Sequence, residues 1–278
     1  FKMTDSKRCI GFSFLRKFGS TVIHTIVISI CLALTFCNIF GAHIMSMSNF
    51  NPILKALFMP LYYYMVINYL SAYIQAVFAN PGRPPKNPDD NYTPRCPKCS
   101  LLKPVRTHHC SMCNQCCMKF DHHCPWVANC VGLNNYGYFL KFLGAGCIAS
   151  SFSLLIIVFS IFFGANCPEC NQSTKFIGRL ITLVFTVCSI MCTATMLVSH
   201  IPYVKYNQTT LESYDNDFEV RKAKRNGVNY EYPFDKGFKK NLEEIFGRRV
   251  MQSWLVPFWV NKLEVDGMSY VQNKNTKL

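Results

Sequence analysis

Between Lys119 and Cys130 the chain reads KFDHHCPWVANC, a run holding one carboxylate, two adjacent histidines and two cysteines. Zinc sites and thiol enzymes draw on the same residue types. The run closes a longer segment, Cys96 to Cys130, with twelve candidate ligands: eight cysteines together with His108, His109, His122 and His123. At four ligands each, two tetrahedral zinc ions account for eight of the twelve. Spacing selects them. Cys96, Cys99, His109 and Cys116 form C-x2-C-x9-H-x6-C, and a shift of 14 residues finds the same pattern again as Cys110, Cys113, His123 and Cys130. Each set is a complete Cys3His site. The remainder is His108, Cys117, His122 and Cys124.

The same shift places Cys124 where a third unit would begin. That unit would need a cysteine at 127, a histidine at 137 and a cysteine at 144, positions that hold Val127, Gly137 and Gly144. Spacing alone leaves an inert, buried thiol open for Cys124. Its neighbours favour chemistry, because Asp121 and His122 complete the nucleophile, base and orienting carboxylate of thiol catalysis. A nearby imidazole raises the thiolate population by taking the proton. Adjacent residues are not expected to reach that geometry in a regular strand or helix. A loop pinned on both sides by His123 and Cys130 is expected instead, with zinc as scaffold rather than catalyst.

Something must hold this segment, and the rest of the chain says what. Of its 278 residues, 50 % are hydrophobic and only 16 % charged, against roughly 25 % charged in a soluble domain. Four apolar stretches, about 20–45, 53–79, 138–165 and 176–204, each exceed the roughly 20 residues that cross a bilayer core as a helix. The first is too long for a signal-peptide core and has no clear cleavage site beyond it, so it is expected to stay as an anchor. Lys141 and Arg179 sit near span ends, where snorkelling is the ordinary expectation.

The net charge of +14 lies outside the apolar runs, which suits phosphates or acidic lipid heads. Lysines and arginines crowd the N-terminal segment, the cysteine-rich segment and the tail from Lys205 onward, while the two intervening short loops are nearly bare. The positive-inside rule therefore puts both termini and the cysteine-rich segment in the cytosol. Thiols stay reduced there. Cys167 and Cys170 fall in the lumenal loop, where a local disulfide and two free thiols both remain open. The chain opens on Phe1 rather than Met, so its N-terminus need not be complete.

The intact signature Asp121-His122-His123-Cys124, followed by Pro125-Trp126 and Asn129-Cys130-Val131-Gly132, resembles that of the DHHC-type protein S-acyltransferases, the membrane palmitoyltransferases. Further matches lie outside it. Asn80-Pro81-Gly82 stands where the family usually has Asp-Pro-Gly, Thr209-Thr210-Leu211-Glu212 matches its T-T-x-E motif, and Tyr232 to Gly247 looks like its C-terminal motif, with Asn241 at the polar centre. The tail run GMSY resembles the branch found in the endoplasmic reticulum.

The resemblance implies an α-helical polytopic membrane protein of four transmembrane helices, with a small double-zinc domain between the second and third. The divisions expected are 1–19 (cytosolic N-terminal segment), 20–79 (first two spans), 80–136 (zinc domain), 137–205 (last two spans) and 206–278 (cytosolic C-terminal region). It implies that Cys124 takes a fatty acyl group, palmitoyl above all, from acyl-CoA as a thioester and passes it to a cysteine of a protein substrate. His122 is then the base and Asp121 its orienting partner, and two structural zinc ions take the eight ligands already selected.

The acyl chain belongs in a cavity between the spans, since each buried methylene contributes about 0.8 kcal/mol. Candidates for the CoA phosphates are Arg106, Lys119, Lys205, Arg248 and Arg249, with surface charges facing anionic lipid an equal alternative for each. Thr209, Thr210 and Asn241 are expected to hold the tail against the catalytic loop, with Asn241 structural. The expected location is the endoplasmic reticulum or Golgi membrane, with no nucleic-acid partner. Two other readings stand against this one. A membrane-tethered zinc-binding interaction module leaves the Asp-His-Cys set unexplained, and a Cys117–Cys124 redox pair lacks the C-x-x-C arrangement.

Overall fold

A computed structural model describes residues 50–85, 94–163 and 172–270, together with eight helical positions between 22 and 36. The remainder of the first apolar stretch, 20–45, lies outside the described residues, as do Cys167 and Cys170. Among the described residues, three helices are long and apolar enough to cross a membrane: α1 (Pro52–Phe78), α2 (Tyr136–Phe163) and α3 (Gln172–Tyr206). α1 packs on α2 and α2 on α3. Between α1 and α2 come two hairpins, β1 (His108–Cys110) with β2 (Gln115–Cys117) and β3 (His122–Cys124) with β4 (Asn129–Val131). After α3 follow α4 (Thr210–Arg225), α5 (Phe238–Phe246) and α6 (Val250–Leu255).

α1 starts where Asn51 accepts from the Leu54 amide at 2.9 Å, with proline in the first turn, and stops ahead of Pro81, whose ring disfavours helix in the residue before it. Its last carbonyls lack helical partners. The Asn129 amide, on β4, donates to the carbonyls of Ala76, Val77 and Ala79 at 3.3, 3.1 and 2.9 Å. One side chain of the zinc-binding segment thus closes the end of a membrane helix. Asn80 makes the following turn, accepting from the Gly82 and Arg83 amides at 3.0 Å each. Its amide oxygen serves as a carboxylate would, so the departure from Asp-Pro-Gly leaves the turn intact.

Gly132 lies where chains converge. A Cβ there would stand 2.4 Å from Cys117 Sγ and 2.8 Å from the Pro81 carbonyl. The tail folds back on the spans. Asn68 and Gln75 of α1 donate to the carbonyls of Trp254 and Trp259, both at 2.8 Å, and Lys141 of α2 donates to the Val256 carbonyl at 2.8 Å. Lys141 is buried, so it does not snorkel: a carbonyl of the tail meets its ammonium inside the protein.

A buried ionic network joins the zinc segment to the tail. Arg106 grips Glu212 of α4 with two nitrogens at 2.7 Å each, and its guanidinium also donates to the Asn207 carbonyl at 2.6 Å and Glu244 of α5 at 3.5 Å. The rings of Phe234 and Tyr270 lie against the guanidinium. Lys119 donates to Asn207 Oδ1 at 2.7 Å and to Glu244 at 2.8 Å, and Lys236 reaches the other Glu244 oxygen at 2.7 Å. Burial alone would raise the Glu244 carboxyl; Lys119 first, then Lys236 and Arg106, outweigh it and hold it down at about 2. Asn241 is fully buried and ties Lys205, Asp235 and Lys236 together at 2.7–3.0 Å, the structural part expected of it.

Removing one partner of such a network strands buried charge at a cost of about 3–5 kcal/mol. Glu244→Gln is therefore expected to lower the thermal unfolding midpoint in detergent far more than Asp215→Asn at an exposed position of α4. Unfolding followed by intrinsic fluorescence checks this.

Candidate active site

The two hairpins repeat each other. β1 and β2 pair His108 with Cys117, His109 with Cys116 and Cys110 with Gln115; β3 and β4 pair His122 with Val131, His123 with Cys130 and Cys124 with Asn129. Each pairing is the other displaced by 14 residues, so the sequence repeat is a structural one. In each hairpin a histidine and a cysteine of the same metal set stand directly opposite one another, His109 with Cys116 and His123 with Cys130.

Alternation along a strand sorts the remaining residues, since neighbours point to opposite faces. His109 faces its own set while Cys110, one residue on, serves the next. By the same rule His123 faces the second set, and His122 and Cys124 share the opposite face. The expectation of a loop is corrected here. Residues 122–124 form a short strand, and its two-residue period brings His122 and Cys124 together while turning His123 away.

The two sets are assembled as the spacing required. Cys96, Cys99, His109 and Cys116 bring their donor atoms within 4.8 Å of one another, and so do Cys110, Cys113, His123 and Cys130. Tetrahedral zinc with Zn–S near 2.3 Å and Zn–N near 2.0 Å sets ligand-to-ligand edges of about 3.5–3.8 Å. Three observed edges fall in that range, Cys96 Sγ to His109 Nδ1 at 3.6 Å, Cys99 to Cys116 at 3.5 Å and Cys110 to His123 Nδ1 at 3.6 Å, and Cys113 to Cys130 is shorter at 3.3 Å. Both histidines present Nδ1. Arg83 places one guanidinium nitrogen 3.7 Å from Cys130 Sγ and another 3.1 Å from the Cys116 carbonyl, a cation beside a thiolate-rich site.

The third, incomplete unit keeps the backbone of the others. Ser100, Asn114 and Ala128, spaced 14 apart, all have left-handed φ, at 58°, 52° and 48°. Ala128 holds this conformation without the polar side chain that eases it in Asn114. Val127, at the position of a second ligand, is fully buried in the apolar core with Cys124, Phe139 and Leu143. Cys124 therefore opens a zinc-type turn whose second ligand position is filled by hydrocarbon.

Asp121 is buried and its oxygens are taken on three sides. His122 Nδ1 lies 2.6 Å from Oδ2, the Thr210 amide donates to Oδ1 at 2.7 Å, and Thr210 Oγ1 donates to Oδ2 at 3.0 Å. Thr209 caps α4, accepting from the Glu212 amide while Glu212 accepts from the Thr209 amide, so the carboxylate sits at a helix N-terminus that favours anions. Burial alone would raise the Asp121 carboxyl, but the His122 bond, with His200 and the Thr210 amide adding, brings it below its ordinary value. Burial would likewise lower His122; Asp121 and then Cys124 overcome it and raise the imidazole to about 9. Nε2 of His122 is buried and makes no hydrogen bond among the described residues.

Two expectations for the basic residues are corrected. Arg106 and Lys119 are 5 % and 4 % exposed and spend their donors on Glu212, Glu244 and Asn207, so they do not face solvent where a phosphate could reach them. Lys205, Arg248 and Arg249 are exposed; Arg248 pairs with Glu264 and, with Arg249, lines a surface groove of about 550 Å3. Cys117 lies apart from Cys124, clustered instead with Cys110 and Cys130, and burial pushes its thiol up to about 12. That is the chemistry of an inert thiol.

One residue of the site escaped the sequence. His200, near the end of α3, brings a ring nitrogen within 4.8 Å of the donor atoms of Asp121 and His122. The signal was an ionisable side chain in an otherwise apolar span. Beside these residues lies an apolar cavity lined by Trp126, Phe139, Phe142, Leu143, Cys192 and Met196.

Because His122 and His123 face opposite ways, their substitutions separate. His123→Ala is expected to reduce bound zinc from two ions per chain to one and destabilise the fold, while His122→Ala keeps both; metal analysis by mass spectrometry checks the pair.

A model of the DHHC palmitoyltransferase family matches residues 90–217. The chain is 33 % identical over 221 residues to "Probable protein S-acyltransferase 15" of Arabidopsis thaliana, covering 72 % of this chain and 82 % of that one. It is 35 % identical over 177 residues to palmitoyltransferase ZDHHC15 of Homo sapiens, covering 63 % of this chain and 49 % of that one. With a family model over the zinc segment and a relative 33 % identical across most of both chains, the chain belongs to the DHHC palmitoyltransferase family.

Proposed function

We propose that this protein is a protein S-acyltransferase that carries a long-chain fatty acyl group, typically palmitoyl, from acyl-CoA to cysteines of protein substrates through a thioester on Cys124. The observation that carries the reading is Asp121–His122 at 2.6 Å, with Cys124 on the same strand face and outside both metal sets.

The steps follow from the atoms present. His122 takes the proton of Cys124 at Nε2, and the thiolate attacks the thioester carbonyl of acyl-CoA. Collapse of the tetrahedral adduct expels the CoA thiolate, which takes the proton back from His122. In the second half the substrate cysteine gives its proton to His122 and attacks the Cys124 thioester, and Cys124 leaves as the thiolate. Asp121 holds Nδ1 throughout and stabilises the charged imidazole. The zinc ions supply folding free energy when bound, and Cys110, Cys113, His123 and Cys130 hold the strand from which His122 and Cys124 project.

The remaining assignments are proposed with it. The acyl chain lies in the cavity beyond Trp126, among Phe139, Phe142 and Leu143. Lys205, Arg248 and Arg249 are the cations left for CoA phosphates. A fourth span over 20–45, cytosolic termini and the divisions at 19, 79, 136 and 205 complete the architecture, supported by α1, α2 and α3. The membrane is that of the endoplasmic reticulum or Golgi.

Incubation of the purified protein with radiolabelled palmitoyl-CoA tests the reading. A hydroxylamine-sensitive label is expected on the wild type and none on Cys124→Ser, while His122→Ala slows labelling by about 10²–10⁴-fold. A thioester label that survives Cys124→Ser sinks the proposal.

A further inference from the structure

We infer that His200, held by Tyr136, is a positioning residue for the reaction: it fixes the plane of the His122 imidazole so that the nitrogen not bound to Asp121 stays aimed at Cys124. The inference rests on the transfer reading above.

An imidazole in a membrane helix is costly unless it is paired or used. His200 is 4 % exposed, and its Nδ1 shares a hydrogen bond of 3.0 Å with the Tyr136 hydroxyl, itself buried. Tyr136 stands in the first turn of α2 and His200 near the last turns of α3, so the bond ties two spans together directly beside β3.

The ring contacts show what this bond holds. The His200 ring lies 6.0 Å from His122 and 5.3 Å from Phe139, and Phe139 lies 5.3 Å from His122. His122 is thus walled by His200 and Phe139, with Tyr203 backing His200 at 5.4 Å. Asp121 anchors only one nitrogen of His122, and a single hydrogen bond leaves the ring free to swing about it. The walls remove that freedom. A misplacement on the order of 1 Å at a reacting group costs up to about 10²-fold in rate, so the wall bears on turnover more than on substrate binding. His200 belongs to neither Cys3His set, which separates its role from that of the zinc ligands.

A double-mutant cycle on full-length protein in detergent, reading the rate of Cys124 thioester formation from palmitoyl-CoA, tests this. Tyr136→Phe deletes one oxygen, and His200→Phe keeps an aromatic ring of similar size. Each is expected to lower the maximal rate about 10-fold with KM unchanged and two zinc ions retained, and the double variant to be no slower than either single.

Packing alone predicts that His200→Phe runs at the wild-type rate, and that result overturns the inference. So do losses that multiply in the double variant, or losses confined to KM or zinc content. If His200→Phe does not fold, Tyr136→Phe decides alone, and an unchanged maximal rate defeats the proposal. A wild type that forms no thioester on Cys124 instead defeats the transfer reading itself, before either variant is compared.

Discussion

A buried carboxylate has to be answered by donors, and Asp121 is the one on which the site is built. Isolated in a low-dielectric interior, it would cost several kcal/mol. It is met by His122, the next residue and the first of β3, and by the amide and hydroxyl of Thr210, 89 residues along the chain. Meeting it therefore requires β3, the end of α3 and the start of α4 to be assembled at once. The Asp121 that orients His122 is fully answered only when the tail has docked, which couples folding of the C-terminal region to the geometry of the zinc segment.

Glu212 makes that docking specific by serving two partners. It closes the capping box that starts α4, and it takes both nitrogens of the Arg106 fork. The same helix terminus that stabilises Asp121 is thus locked to Arg106, two residues ahead of the first hairpin. Arg106 and Lys119 could not be read as part of this lock from the sequence. A basic residue before a proposed phosphate site is indistinguishable, on charge alone, from one that neutralises buried glutamates, because the glutamates lie 106 to 138 residues away. Burial decided between the two.

The repeat carries further than its ligands. The left-handed turn recurs at Ser100, Asn114 and Ala128, so the fold builds a third zinc-type turn and places Cys124 at its head. With Val127 in the second position, the thiol faces hydrocarbon and an imidazole rather than metal. Strand alternation supplies the rest, sending adjacent histidines to different tasks. That alternation was available in the sequence as a pattern of two. Adjacency suggested a loop, yet His122 and Cys124 stand two apart, the interval that shares one face of a strand.

By itself the sequence picked out the two Cys3His sets, the apolar stretches that become α1, α2 and α3, and the Asp-His-Cys set, because spacing and hydropathy are local properties that survive without coordinates. Only the tertiary structure decided that Arg106 and Lys119 turn inward, that Lys141 meets a carbonyl of the tail, and that His200 and Tyr136 close around His122. Each of those depends on which distant residue arrives as partner. A charge or an imidazole takes its meaning from what it is buried against, and only folding brings that neighbour.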